Sequence, residues 1–165
     1  METSKVKLVD PSYLIGAENP ELVNKAFSAL VDRAQDLAWV AGIVEGEGSF
    51  GVAKYADRKN LVASFQLEMS DHDVMKKASE ILGLKVRGPY QRKRQKKDGS
   101  NCKLTWQIKT VVAETVREIC NLLYPYMGER RRSKIREVLA VLDDKDEQRR
   151  NRKLAKDKGL LRDAE

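Results

Sequence analysis

Two glutamates close an apolar run, and each is followed by a glycine in the order Glu45-Gly46-Glu47-Gly48. Glycine just beyond a periodic run indicates a helix end, where carbonyl oxygens lack partners and the dipole is negative. A carboxylate beside such carbonyls is a donor set that a hard divalent cation prefers. The run itself has the i, i+3, i+4, i+7 spacing of a buried helix face and comprises Leu37, Val40, Ala41 and Val44.

A second stripe on the same helix carries only small residues, Ala38, Gly42 and Gly46, spaced four apart. Small side chains allow another helix to approach closely, an effect best known in membranes but steric in origin. Taken alone, the stripe predicts either packing of this helix against its own sheet or contact with a second helix.

Length and composition predict one globular domain, because the chain has 165 residues, of which 41% are hydrophobic. The formal charge is +7, and the segment 84–104 concentrates cations, which favours a phosphate backbone as partner. Two cysteines give neither a disulfide framework nor zinc spacing, which indicates a reducing compartment. Without an apolar membrane span or secretion signal, we expect an intracellular protein with no membrane partner, located in the cytoplasm or in an organelle with its own genome.

Hydrophobic periodicity predicts the order helix, strand, strand, helix, strand, strand, helix, helix. Strands are expected at 50–55, 61–69, 86–94 and 103–108, and helices from Pro20 with a break or bend at 33–36, then at 70–82, 112–123 and 129–142. This pattern predicts an α+β fold with an αββαββα-type core, in which helices cover one face of a four-stranded antiparallel sheet. The predicted organisation is an N-terminal arm at 1–18, a domain at 19–142 and a weakly packed basic tail at 143–165.

The uncovered sheet face is predicted to be polar and to bind nucleic acid, although antiparallel sheets can also simply solvate one side. Side chains on a two-stranded ribbon fit the major groove, where Gln and Arg form paired contacts with adenine and guanine. The predicted DNA-binding residues, including the neighbouring loops, are Gly51, Ala53, Tyr55, Arg58, Lys59, Asn60, Ser64, Gln66, Glu68, Arg87, Gln91, Arg92, Lys93, Arg94, Lys96, Lys97, Lys103, Thr105, Gln107 and Lys109. In the third strand the alternation is ambiguous across a bulge at Gly88-Pro89.

The nine residues Val40-Ala41-Gly42-Ile43-Val44-Glu45-Gly46-Glu47-Gly48 resemble the motif of the LAGLIDADG homing endonucleases, with Glu at both acidic positions. The resemblance extends over about 37–142. It includes Ser49-Phe50 at the first strand, Phe65-Gln66 before a helix that ends Ile81-Leu82-Gly83, and the Tyr124-Pro125-Tyr126 turn before a basic helix. It implies the same α+β fold, with a saddle-shaped sheet.

The chain has one copy of the motif, so the resemblance implies the single-motif type that works as a homodimer. Such a protein is a site-specific endonuclease that binds a long, near-palindromic double-stranded DNA site. It hydrolyses one phosphodiester per strand and leaves short 3′ overhangs. The small-residue stripe is then better interpreted as the seam between two copies, with Ala38, Gly42, Ile43 and Gly46 at the interface. The implied cofactor is Mg²⁺ or Mn²⁺, whereas Ca²⁺ is expected to bind without supporting cleavage.

Residue roles are carried over by position. Glu47 matches the acid that binds the catalytic metal, and Gly46 matches a position whose backbone carbonyl assists. Glu45 lies about 200° around the helix from Glu47 and is interpreted as a capping or surface acid. Arg130 is predicted to stabilise charge at the scissile phosphate, with Arg131 or Arg132 as alternatives.

One residue departs from the family pattern. Met69 occupies a position where some relatives carry a polar residue that organises water, and Ser70 or Glu68 are candidates to replace it if the register slips by one residue. The alternative function is a non-cleaving LAGLIDADG RNA maturase or a sequence-specific DNA-binding protein.

Overall fold

The computed structural model describes residues 20–54, 61–91 and 102–157. Within these ranges the elements are α1 (Pro20–Glu47), β1 (Gly48–Lys54), β2 (Leu61–Met69), α2 (His72–Leu82), β3 (Val86–Tyr90), β4 (Thr105–Thr110), α3 (Ala113–Leu123), a 3₁₀ turn (Tyr124–Tyr126) and α4 (Glu129–Asp157). Packing divides the chain into two units, Met1–Asp36 and Leu37–Glu165. In the first unit, the described part of α1 exposes apolar side chains, among them Leu22 and Phe27.

The second unit contains a four-stranded antiparallel sheet in the order β1-β2-β4-β3. Its core is built from alternate strand residues and from the apolar faces of helices. Phe50 and Phe65 are directly opposed in the β1–β2 register, with ring centroids 5.2 Å apart. The largest fully buried side chains of the described residues are Val40, Val44, Phe65, Leu67, Met75, Ile108, Val116, Cys120, Leu123, Ile135 and Val138. The predicted α+β fold is therefore confirmed.

Local sequence signals account for several element ends. α2 stops where Gly83 adopts a left-handed conformation (φ 66°), which suits glycine at a helix C-terminus. β3 has an irregular register between Arg87 and Tyr90, as the bulge expected at Gly88-Pro89 requires. Gly88 has φ 128°, and a Cβ there would lie 2.9 Å from the Thr105 carbonyl oxygen, so glycine is required.

The structure corrects several expected element boundaries. β1 begins at Gly48 instead of residue 50, and α2 begins at His72 instead of residue 70. The third strand ends at Tyr90, and the fourth spans Thr105–Thr110, so Lys103 precedes the strand instead of lying in it. α1 is a single helix from Pro20 to Glu47, without the break expected at 33–36. α4 extends to Asp157 because Lys, Arg, Glu and Gln favour helix even without an apolar face to bury. No helix in the described ranges is long and apolar enough to cross a membrane.

Candidate active site and nucleic-acid interface

The acid predicted to bind metal is the last residue of α1. Glu47 ends the helix, Gly48 begins β1, and no linker residue lies between them. A Cβ on Gly48 would lie 2.7 Å from both the carbonyl oxygen and the Cγ1 of Val44, so only glycine fits this turn. The Glu47 side chain is exposed and makes no hydrogen bond or ion pair with the described part of the chain. It is therefore available to a ligand.

Glu47 lines an open cleft of about 530 Å³ together with residues from the end of β2 and the approach to β4. The other lining residues are Gln66, Glu68, Met69, Ser70, Cys102, Lys103 and Thr105. The Glu68 carboxylate accepts a hydrogen bond from Thr105 Oγ1 at 3.1 Å and one from Gln66 Nε2 at 3.5 Å. The cleft thus combines two carboxylates with polar side chains and one lysine.

Both candidates to replace the missing polar residue at Met69 lie in this cleft. Met69 packs partly against the core, whereas Glu68 alternates to the polar side of β2 and Ser70 follows the strand. Neither Glu68 nor Ser70 requires a shift in register to reach the cleft wall. Their role in holding water stays a prediction.

The other motif glutamate is occupied by contacts with α4. Glu45 Oε2 accepts a hydrogen bond from the Gly128 backbone N–H at 3.1 Å. The Glu45 carbonyl oxygen accepts two more from Arg131, at 3.2 Å from Nε and 2.9 Å from Nη2. The interpretation of Glu45 as a capping acid agrees with this geometry, since its carboxylate caps the N-terminus of α4.

The three consecutive arginines at the start of α4 have different surroundings. Arg131 binds the end of α1, while Arg132 donates to the carbonyl oxygens of Tyr124 and Pro125 at 3.2 and 3.0 Å. Arg130 is exposed and makes no hydrogen bond or ion pair among the described residues. Of the three, Arg130 is therefore the arginine whose guanidinium is available to bind an anion from solution.

The sheet face opposite the core carries rows of polar residues. Directly paired residues of antiparallel strands project to the same face. One row joins Ser49, Gln66 and Lys109 across β1, β2 and β4. A second joins Glu68 and Gln107 to Arg87 on β3. Ser64, paired with Gly51, and Thr105, paired with Tyr90, complete the face.

The structure therefore brings together most of the described residues that were predicted to bind DNA. Ala53 is exposed and pairs with Val62, which projects to the same face as Ser64 but is buried. Gln91 and Tyr90 border a smaller depression with Glu68, Thr105 and Gln107. The remaining predicted residues lie outside the described ranges: Tyr55, Arg58, Lys59, Asn60, Arg92, Lys93, Arg94, Lys96 and Lys97.

Three residues of the face and cleft were missed by sequence reasoning. Ser49 continues the alternation of Gly51 and Ala53, so the period of β1 already contained it. Tyr90 was hidden because the irregular register at Gly88 shifts the alternation of β3. Cys102 reaches the cleft only through the path of the chain before β4, for which the sequence holds no signal.

The small-residue stripe of α1 is exposed at Ala38, Gly42 and Gly46. A Cβ built on Gly42 or Gly46 would meet nothing within 4 Å, so these glycines do not serve close packing within the described part of the chain. Ile43 differs, because it is half-buried and packs against the core.

The end of α1 offers oxygen donors for a metal ion, but few acidic side chains of the described residues lie near one another. Within the described ranges no group of three or more His, Cys, Asp or Glu side chains could hold a metal ion. Glu47 and the terminal carbonyls of α1 supply oxygen donors, which fit a hard divalent cation, but one chain supplies fewer than the six that Mg²⁺ requires. The remaining donors must come from water, phosphate or a second copy.

Comparison with known proteins gives structural matches only. No protein-family model matches the chain, and no curated protein matches its sequence. The homing endonuclease I-CvuI in complex with its target matches with a TM-score of 0.55 and 20% identity, over 82% of this chain and 87% of that one. A second I-CvuI complex, with uncleaved DNA in the presence of Mg, gives 0.51 and 21%, over 81% and 86%. The LAGLIDADG meganuclease I-AabMI, bound to uncleaved DNA, gives 0.53 and 15%, over 71% and 39%.

The chain has the LAGLIDADG homing endonuclease fold. The resemblance in the nonapeptide is thereby confirmed at the level of the fold. In this LAGLIDADG fold the motif lies at the C-terminal end of α1, and Glu47 lies where the helix meets the sheet. The polar face borders the same cleft through Gln66, Glu68 and Thr105.

Proposed function

We propose that this chain is a site-specific double-strand DNA endonuclease that acts as a homodimer on a long, near-palindromic site. It hydrolyses one phosphodiester in each strand and leaves short 3′ overhangs. The observation that carries the proposal is the position of Glu47, exposed in a cleft that opens onto the polar face of the sheet. A carboxylate there has no structural role within the described chain and adjoins a surface suited to the major groove.

In this mechanism the sheet supplies recognition. Arg87 is suited to guanine and Gln66 and Gln107 to adenine, because their side chains donate or accept in pairs along base edges. Lys109 and Lys103 add positive charge toward phosphates. The paired register holds these side chains in fixed rows, so base identity at several positions is read simultaneously.

Hydrolysis then depends on the end of α1 and the start of α4. Glu47 and the Gly46 carbonyl would hold Mg²⁺ or Mn²⁺, which supplies Lewis acidity at the scissile phosphate. Arg130 stabilises negative charge that develops on the phosphate oxygens. Glu68 and Ser70 hold water at the cleft wall, with Glu68 oriented by Thr105. Two copies are required for two strands, and the exposed stripe at Ala38, Gly42 and Gly46 supports their pairing.

The test compares wild type with Glu47→Gln and Arg130→Ala on a DNA site recovered by selection from a random library, with Mg²⁺. Each variant is expected to cleave at least about 100-fold more slowly, with DNA binding in Ca²⁺ retained. Glu118→Gln and Lys76→Ala are matched controls, because they change exposed residues on α3 and α2 away from the cleft. Tight nucleic-acid binding without cleavage by wild type would favour the maturase or DNA-binding alternative.

A further inference from the structure

The end of α1 and the start of α4 are joined in both directions through Glu45. Its carboxylate Oε2 accepts from the Gly128 N–H at 3.1 Å, and its carbonyl oxygen accepts from Arg131 at 3.2 and 2.9 Å. We call these contacts among Glu45, Gly128 and Arg131 the helix-end latch. It spans more than eighty residues of sequence, so it is a tertiary contact and not a local cap.

The latch matches charge to both helix dipoles. The acid lies at the N-terminus of α4, where N–H groups lack partners, and the guanidinium lies at the C-terminus of α1, where carbonyls lack them. The Gly128 carbonyl accepts the first backbone bond of α4, from Arg132 N at 2.9 Å, so the latch acts on the first turn of that helix. Arg131 donates from both Nε and Nη2 to the single Glu45 carbonyl oxygen. Two hydrogen bonds restrict rotation of the guanidinium more than one would.

The latch lies next in sequence to the two residues proposed to act in hydrolysis. Glu45 is two residues before Glu47, and Arg131 immediately follows Arg130. We infer that Glu45 and Arg131 are positioning residues, which hold the Arg130 backbone in register with Glu47 so that both reach the same phosphate. This inference rests on the proposed function. A displacement of a catalytic group by about 1 Å can lower a rate about 100-fold, so such a contact has kinetic consequences.

Arg132 supplies a matched control within the same turn. Its guanidinium also donates two hydrogen bonds to backbone carbonyls, but these belong to Tyr124 and Pro125, just before α4. Arg132→Ala therefore removes the same kind of contact near the same helix end without releasing α1. A purely stabilising role predicts that Arg131→Ala and Arg132→Ala behave alike.

The experiment measures the single-turnover cleavage rate at saturating protein with Mg²⁺, the Kd for the same DNA in Ca²⁺, and the unfolding midpoint. Glu45→Ala and Arg131→Ala are expected to lower the cleavage rate about 10- to 100-fold while the Kd stays within about twofold. Glu45→Gln keeps an acceptor oxygen for Gly128 and should recover part of the rate. Arg132→Ala should leave the rate within about threefold of wild type at temperatures well below unfolding.

The outcomes separate the two proposals. Wild-type cleavage combined with unchanged rates in Glu45→Ala and Arg131→Ala would overturn the positioning role alone. An equal loss of rate in Arg132→Ala would also overturn it, because general destabilisation would then explain the data. Absence of cleavage by wild type would overturn the proposed function and the positioning role together.

Discussion

Glu45 and Glu47 are chemically identical and only two positions apart, yet the structure gives them different surroundings. A separation of two residues rotates a side chain by about 200° around a helix, so the two carboxylates face opposite sides. Glu45 meets the N-terminus of α4, and Glu47 faces the cleft. Residue type alone therefore does not distinguish the two acids, whereas their positions around the helix do.

At this scale Gly48→Ala is expected to destabilise the protein by about 1–3 kcal/mol. The added methyl group would lie 2.7 Å from the Val44 backbone and side chain, and both belong to a well-packed region. Urea denaturation of the variant measures this loss. Gly51→Ala in β1 is the control, since the nearest atom to a Cβ there, Ser64 Oγ, lies at an ordinary contact distance of 3.4 Å, and a similar loss in both would contradict the steric explanation.

The two cysteines should also differ in reactivity. Burial raises the pKa of the Cys120 thiol to about 12, and only the thiolate is nucleophilic, whereas Cys102 is half-buried in the cleft wall. We expect a thiol reagent to label Cys102 in the folded protein and Cys120 only after unfolding, as peptide mass spectrometry would detect. A bulky label on Cys102 should inhibit cleavage, and Cys102→Ser should prevent both effects.

The raised pKa of Cys120 also predicts a pH dependence of stability. Above the ordinary value of 9.0 the unfolded chain loses the thiol proton while the folded protein retains it. The protonated Cys120 thiol therefore makes its full contribution to the free energy of unfolding below pH 9, and this contribution is lost as the pH rises toward about 12.

Among the elements, α1 has three different surfaces along its last turns. One face is buried against the core through Val40 and Val44, the C-terminus carries Glu47, and the stripe at Ala38, Gly42 and Gly46 is exposed.

The C-terminal part of α4 is mostly exposed, because beyond Leu142 its described residues bury no side chain. Arg117 on α3 contacts this extension through Asp143 and Asp146, and these carboxylates raise the Arg117 pKa. Such exposed ion pairs stabilise a fold only slightly.

The exposed stripe leads to a test of assembly. Gly42→Leu should convert the proposed dimer to a monomer, because the side chain would obstruct close approach of a second helix. A Cβ at position 42 meets nothing within 4 Å in the described part of the chain, so the substitution is not expected to disturb the fold of one copy. Sedimentation velocity measures the change, and Lys76→Leu adds the same side chain to exposed α2 as a control. A wild-type protein that stays monomeric on DNA would contradict the two-fold arrangement.

For the whole molecule, we expect different residues to determine the salt dependence of DNA binding and the preference for particular bases. The chain carries +7, and five of its cations lie at 92–97, outside the described residues. Counterion release predicts that log Kd rises with log salt, with a slope of about 0.9 per phosphate contacted.

Replacing the five cations at 92–97 with serine should reduce that salt slope and weaken binding to all DNA sequences by a similar factor. Gln107→Ala, on the polar face, should leave the slope unchanged and relax base preference at one position of the site, at a cost of about 1–3 kcal/mol. Titrations at several salt concentrations, on the selected site and on point variants, measure both quantities. An unchanged slope after loss of these five cations would contradict their assignment to phosphates.

The sequence by itself determined the order and type of the elements, because the helical and strand periods are local properties of the chain. β2 was predicted with the boundaries that the structure has, and the two acid–glycine pairs at 45–48 were predicted to mark the end of α1, which the structure places at Glu47. Prediction failed where local preference and burial diverge: α4 continues to Asp157 on helix propensity after its apolar pattern ends.

Only the tertiary structure decided which of several like residues occupies which environment. Arg130, Arg131 and Arg132 are indistinguishable in sequence, and contacts with Glu45, Tyr124 and Pro125 separate them. The exposure of Gly42 and the register that aligns Arg87 with Gln107 and Glu68 likewise depend on distant segments. The physical reason is that local periodicity specifies which face of an element is apolar, whereas the partners of each polar group depend on how the elements pack.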